Sequence, residues 1–150
     1  MKNKKHITQV QNWNFDNSYS KLSSKFYKKQ VPAYSLNPEQ VCFNDELANY
    51  LNLDFLLNNK DKRKQILSGN KLPQGSYPIA QAYAGHQFGN FVILGDGRAI
   101  LIGEHLTSSN NRYDIQLKGA GITQFSRGGD GKATLSSMLR EYLFSESMFY

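Results

Sequence analysis

FVILGDGRAILIGEHLTSSNNRYDIQLKGAGITQFSRGGDGKATLSSMLRE, residues 91–141, sets most of the chain's glycines beside its most regular apolar runs, and its reading decides the fold. Asp96-Gly97 stands between the apolar runs Phe91–Leu94 and Ala99–Ile102, and Asp-Gly is a preferred centre for a two-residue turn, so a β-hairpin is expected over 91–104. Gly95 and Gly97 carry no Cβ, so a phosphate or ribose can approach their backbone; a plain surface hairpin is the competing reading. Tyr113-Asp114-Ile115-Gln116-Leu117-Lys118 alternates strictly, which predicts a half-buried strand with Lys118 on its polar face. A strand fixes a Lys more rigidly than a loop does, as a phosphate contact requires, although a solvated Lys fits the same pattern.

Two clusters follow, Gly119-Ala120-Gly121 and Ser126-Arg127-Gly128-Gly129-Asp130-Gly131-Lys132. So many glycines cost conformational entropy that a mere connector rarely spends. They can curl backbone N–H groups into an anion-binding nest, with Arg127 and Lys132 supplying charge. Two familiar phosphate motifs fail. Gly131-Lys132 is followed by Ala133 and preceded five places earlier by Ser126, so it is no P-loop; Gly119-x-Gly121 leads to Gln124 where a dinucleotide fingerprint needs its third Gly. Beyond the loop, Leu135, Met138, Leu139, Tyr142, Leu143 and Phe149 share a stripe at helical spacing, with Thr134 or Ser136 as N-cap. Glu141 flanks that stripe and can reach Lys118. Glu146 falls within it and is the second candidate partner for Lys118; for either Glu, a solvated or locally paired side chain is the plain alternative.

The strings YAGHQFGNF (83–91), LGDGRAIL (94–101), DIQLKGAG (114–121), SRGGDGKATL (126–135) and LREYLFSESM (139–148), with WNFDNSY (13–19) and FNDELA (43–48), closely resemble the selenoprotein O family (SelO, YdiU). That resemblance runs from about residue 13 to the end. It implies a protein-kinase-like fold that transfers AMP from ATP to Ser, Thr or Tyr hydroxyls of proteins, with the nucleotide flipped relative to ordinary kinases. It further implies nucleotide contacts at Gly95, Gly97, Arg98, Lys118, Asp130 and Gly131, and a helix carboxylate, Glu141, that orients Lys118. The chain departs from the family pattern in having Ile122 for Arg, Gln124 for Pro, Phe125 for Tyr and Lys132 for Arg, so the loop has less charge and less preorder. Family members continue for several hundred residues past this helix, and that part holds two more phosphate-binding arginines, the catalytic Asp and the magnesium-binding Asn and Asp. By the resemblance, the chain is the small lobe of such an enzyme, an antiparallel sheet backed by the 135–149 helix, ending before its catalytic Asp and without a metal site.

Elsewhere the composition, 39% hydrophobic and 13% aromatic over 150 residues, is that of one globular α+β domain. The net charge of +6 comes from residues before Leu72, through Lys2, Lys4, Lys5, Lys21, Lys25, Lys28, Lys29, Lys60, Lys62, Arg63 and Lys64. These are scattered with no nucleic-acid-binding motif, so solvated surface is expected and no nucleic-acid partner. One cysteine, Cys42, allows no internal disulfide and is read as structural. No apolar run suits a membrane span and the Lys-rich start lacks a signal peptide's apolar segment, so a cytoplasmic protein without membrane contact is expected. Residues 1–12 read as a flexible basic tail, with the incomplete kinase-like domain over 13–150. Trp13 to Tyr27 reads as an extended arm anchored on the core. Helices are expected from Asn44, over 60–67 ending at Gly69, and over 79–84. His86 is assigned to local hydrogen bonding, and His6, His86 and His105 are too dispersed for a metal site.

Three functions fit. The first is a protein adenylyltransferase lobe using ATP and Mg²⁺, inactive as this stretch alone; the second is a kinase-type phosphotransferase lobe; the third is a non-catalytic remnant.

Overall fold

The computed structural model describes residues 13–87 and 89–150; the basic tail expected over 1–12 lies outside them. The chain is α+β, with strands β1 (Tyr27–Lys29), β2 (Ile79–Gln87), β3 (Asn90–Gly95), β4 (Ala99–Leu106) and β5 (Arg112–Lys118) and helices α1 (Asp45–Tyr50), α2 (Lys60–Leu67) and α3 (Leu135–Phe149). All strand pairs are antiparallel, in the order β1-β2-β4-β5, with β3 also on β2.

The expected hairpin across Asp96-Gly97 does not form, because β3 and β4 both pair with β2 rather than with each other. Ala82 faces Gly95, and Asp96 N–H donates to Gln81 O at 2.9 Å; two steps further back on β2, Ile79 faces Leu101. Two residues of advance on β2, from Gln81 to Ile79, thus face five on the other strand, from Asp96 to Leu101. The strands run end to end along one edge of β2, and the excess bulges out at Asp96–Arg98. A type I′ hairpin turn needs positive φ at both central residues, and neither Asp96 nor Gly97 has it. The tight turn comes earlier instead, where Gln87 pairs with Asn90 and Gly89 takes φ +79°.

The helix expected over 79–84 is likewise part of a strand, β2. Its alanines favour a helix locally, but pairing to β1 on one edge and to β3 and β4 on the other overrides propensity. Helices at 45–50 and 60–67 do form. Asn44 caps α1 by accepting Leu47 N–H at 2.7 Å, Asn59 caps α2 through Lys62 N–H at 2.8 Å, and Gly69 ends α2's turn at φ +81°. Leu51, Leu53, Leu56 and Ile66 from this region form the core cluster, against which β5 lays the predicted face of Tyr113 and Ile115. Cys42 is exposed, not a packed core thiol.

The 14–16 segment occupies the edge of β4 that β2 leaves open, with Phe15 bridged to His105, Asp16 N–H bonded to Glu104 O at 3.0 Å and Leu106 N–H to Asn14 O at 2.9 Å. Gly103 makes room for it, since a Cβ there would stand 2.5 Å from the Phe15 ring. Buried Glu104 accepts from Ser18 Oγ and Tyr19 N–H, both at 2.6 Å, and from Arg112 at 3.2 Å, so its charge is well compensated. His105 is fully buried: Nδ1 accepts Asn14 N–H at 3.1 Å, which leaves Nε2–H to donate to Leu51 O at 2.8 Å. That arrangement requires a neutral ring, and burial pushes its pKa down, the bond to Leu51 opposing.

α3 starts at Thr134, whose Oγ1 accepts Ser137 N–H at 3.3 Å. It does not back the sheet as expected, for none of its residues is buried. Met138, Leu139 and Tyr142 instead line a groove of about 340 Å³ together with Pro38–Cys42 and the end of α2, while Leu143 and Phe149 of the same stripe stay exposed.

Two tests follow from this packing. Gly103→Ala, by pushing Phe15 off β4, lowers stability by about 1–3 kcal/mol in chemical denaturation, and Phe15→Ala in the same chain removes most of the added cost; a neutral Gly103→Ala places the arm elsewhere. His105 titrates lower in the fold than unfolded, so the unfolded chain binds more protons below about pH 6.5 and stability drops from pH 7 to pH 5. In His105→Gln, melting temperature varies less steeply over that window, and an unchanged slope assigns the acid sensitivity to another group.

Candidate functional site

The bulge at Asp96–Arg98 forms one wall of a cleft of about 550 Å³, lined also by Gln116 and Lys118 of β5 and by Ser126, Arg127, Asp130, Gly131 and Lys132 of the following loop. That volume suits a mononucleotide-sized ligand. Of the residues singled out from sequence, Gly95, Gly97, Arg98, Lys118, Asp130 and Gly131 all line this one cleft. Glu141 joins it through Lys118, whose Nζ donates to Glu141 Oε1 at 2.7 Å and Oε2 at 2.6 Å. The second candidate, Glu146, does not meet Lys118. It accepts from Asn44 Nδ2 at 2.9 Å, tying α3 to the cap of α1, because it sits more than a turn beyond Glu141 and faces the other end of the helix.

Several glycines are needed for packing rather than for open approach. A Cβ on Gly95 would collide with the Phe125 ring, and one on Gly97 would lie 2.8 Å from Phe125 O. Gly131, at φ +67°, packs its backbone on that of Gly121, whose N–H donates to Gly131 O at 3.1 Å. The loop is therefore a folded pad pressed against the bulge, fastened also by Gly119 N–H to Arg98 O at 2.6 Å. Asp130 is exposed, and its Oδ1 accepts Lys132 N–H at 2.9 Å, a local turn bond within the loop. Arg127 adopts φ +49°, an uncommon conformation for a side chain of its size.

Asp96 was missed as a functional position in the sequence. It is buried, and its Oδ2 accepts Gln81 N–H at 3.0 Å and Gln116 Nε2–H at 3.4 Å. Burial pushes its carboxyl above the usual range, against both hydrogen bonds. Further along β5, Asp114 is raised by burial and by the charge of Glu104, its partner on β4, with Arg112 opposing. Arg98, Lys118, Arg127 and Lys132 make the cleft cationic, while Asp96 and Asp130 are committed to hydrogen bonds inside it. Among the described residues no group of three or more His, Cys, Asp or Glu could hold a metal ion, and no helix is long and apolar enough to cross a membrane. His86 stands edge-on to Phe91, with ring centroids 6.5 Å apart, outside the cleft.

A family model described as protein adenylyltransferase SelO matches residues 9–150. Proteins named protein nucleotidyltransferase YdiU are similar: one from Pelagibacter ubique is 58% identical over 92% of this chain and 29% of its own length. One from Bacillus cytotoxicus is 53% identical over 97% of this chain and 30% of its own, and one from Nitrosococcus oceani 54% identical over 91% and 28%. The chain thus spans under a third of the length of these relatives. Bulge, lysine strand, glycine pad and helix carboxylate all fall inside the matched residues, and the chain belongs to the protein adenylyltransferase SelO family.

Proposed function

We propose that the cleft binds the triphosphate of ATP and that the full protein transfers AMP to hydroxyls of Ser, Thr or Tyr in other proteins. One observation carries the reading: Lys118, held on both oxygens by Glu141, opens into the same cationic cleft as the glycine bulge and the 126–132 loop. A lone Lys is a flexible point charge; one clasped by a carboxylate keeps a set direction and offers its remaining proton to phosphate. Arg98, Arg127 and Lys132 add charge around it. The family match supports AMP rather than phosphate as the transferred group.

On this reading a protein hydroxyl attacks the α-phosphorus in line, the bond to the β-phosphate oxygen breaks, and pyrophosphate leaves. Positioning and neutralisation of charge do most of the work in such transfers. Lys118 and the cleft N–H groups neutralise the phosphates, and Glu141 orients Lys118. The reading assigns the group that accepts the hydroxyl proton to the part of the longer relatives that this chain does not span, and it includes a kinase-like fold and a cytoplasmic setting for the whole protein. Magnesium is the expected counter-ion of the triphosphate. The cleft holds only two carboxylates, Asp96 and Asp130, and among the described residues no group of three or more His, Cys, Asp or Glu could hold a metal ion, so no step is assigned to the metal.

The test is AMP transfer by the full-length protein, read by mass spectrometry of a modified target. Lys118→Ala lowers transfer by about 100-fold or more, and Glu141→Gln lowers it by less, because the Lys survives but wanders. Transfer that is indifferent to Lys118 overturns the site, and addition of phosphate in place of AMP turns the reading to a kinase-type transferase. The 150-residue chain alone is expected to bind ATP weakly and to transfer nothing; AMP transfer by it would show that the rest of the protein is dispensable.

A further inference from the structure

Two hydroxyl side chains that carry no charge hold the bulge in shape. Thr123, 5% exposed, donates its Oγ1–H to the carbonyl of Asp96 at 2.5 Å. Ser126 donates its Oγ–H to the carbonyl of Gly97, also at 2.5 Å. The two are knitted to each other: Ser126 Oγ accepts Thr123 N–H at 2.8 Å, and Thr123 Oγ1 accepts Phe125 N–H at 3.0 Å. Phe125, between them, lies flat on the bare backbone of Gly95. Each hydroxyl gives its one proton to the bulge and uses a lone pair to stiffen its own loop, so both are fully employed.

The consequence lies in the peptide planes. In a planar trans peptide, the N–H of one residue points opposite to the C=O of the residue before it. Drawing the carbonyls of Asp96 and Gly97 toward the 123–126 loop therefore turns the N–H groups of Gly97 and Arg98 the other way. Among the described residues neither N–H has a hydrogen-bond acceptor, whereas the preceding one, Asp96 N–H, is bonded to Gln81 O. Gly97 and Arg98 both line the cleft with Lys118. Adjacent N–H groups held free in this way are what an anion recognises.

We propose that Thr123 and Ser126 are positioning residues for the triphosphate: their hydroxyls fix the peptide planes of the bulge so that the N–H groups of Gly97 and Arg98 meet phosphate oxygens. This rests on the nucleotide reading of the cleft, and it assigns a role to two side chains that touch no ligand themselves. A flip of either peptide would present a carbonyl, and hence partial negative charge, to the phosphate. The clamp excludes that flip by occupying both carbonyls.

The experiment measures binding of tripolyphosphate to the full-length protein by calorimetry, alongside melting temperature, for Thr123→Val, Ser126→Ala, Thr123→Ser and Lys118→Ala. Thr123→Val and Ser126→Ala each weaken binding by about tenfold, the scale of one hydrogen bond to a charged group. Thr123→Ser keeps the donor and binds as the natural protein does. Should Thr123→Val fail to fold, Ser126→Ala, at a less buried site, carries the comparison. Apolar variants that bind as tightly as the natural protein, or a Thr123→Ser variant as weak as Thr123→Val, overturn the positioning role. If Lys118→Ala also binds tripolyphosphate unchanged, it is the nucleotide reading itself that fails.

Discussion

A carboxylate standing in for a backbone carbonyl is the constraint on which this structure turns. Over Ile79–Gln81, β2 lies between β1 on one edge and the Asp96–Leu101 stretch on the other, and its buried N–H and C=O groups there need partners on both sides. Where β3 ends, the chain must swell outward to make a cleft wall, and β2 would lose an acceptor there. Asp96 supplies it: its N–H continues the ladder to Gln81 O, while its Oδ2 takes the Gln81 N–H that a regular strand would have bonded with a carbonyl. The ladder resumes at Ile79 with Leu101. The sheet stays satisfied there, and of the bulge's backbone, among the described residues, only the N–H groups of Gly97 and Arg98 are left to meet a ligand.

That substitution explains the electrostatics of the cleft floor. A carboxylate placed there is 7% exposed, and burial raises its pKa even though two donors favour its charged form. The surrounding cations, Arg98, Lys118, Arg127 and Lys132, are not bonded to it. They stay available to an anion, and Asp96 works on the sheet instead of competing as a counter-ion. Asp130 follows the same logic on the opposite wall, accepting from Lys132 N–H. Both acids of the site accept from backbone N–H groups, Asp96 from Gln81 and Asp130 from Lys132.

Much of the site was legible because its chemistry is local in sequence. Strict alternation placed Lys118 on the polar face of β5, and the Thr-capped apolar stripe gave α3 its bounds to within a residue. The failures were at points where distant pairing decides. Asp-Gly between two apolar runs carries a hairpin signal, but the signal says nothing of a third strand able to claim both runs, and β2 did. The same strand was misread as helix, since Ala80, Ala82 and Ala84 give no β-alternation to set against their helical preference. Thr123 and Ser126 were invisible because a hydroxyl in a glycine-rich loop is ordinary until its acceptor, 27 or 29 residues away in sequence, is known. α3's apolar stripe was read correctly as a stripe and wrongly as a buried one; periodicity identifies a face, not what covers it.

The Lys118–Glu141 pair also has to be weighed by its energy. Its side chains are 39% and 46% exposed, and ion pairs so open to solvent contribute on the order of 0–1 kcal/mol to stability. Strand β5 is held by its ladder to β4 and α3 by its cap and by Asn44 to Glu146, so neither element depends on the pair for its place. What the pair changes is the amine itself. A free Lys at that position would sample a wide arc of water, and two bonds of 2.6 and 2.7 Å reduce that arc to one direction. A contact that adds little to folding and much to the aim of one charge belongs to binding, and the hydroxyl clamp on the opposite wall does for two neutral peptides what Glu141 does for the amine.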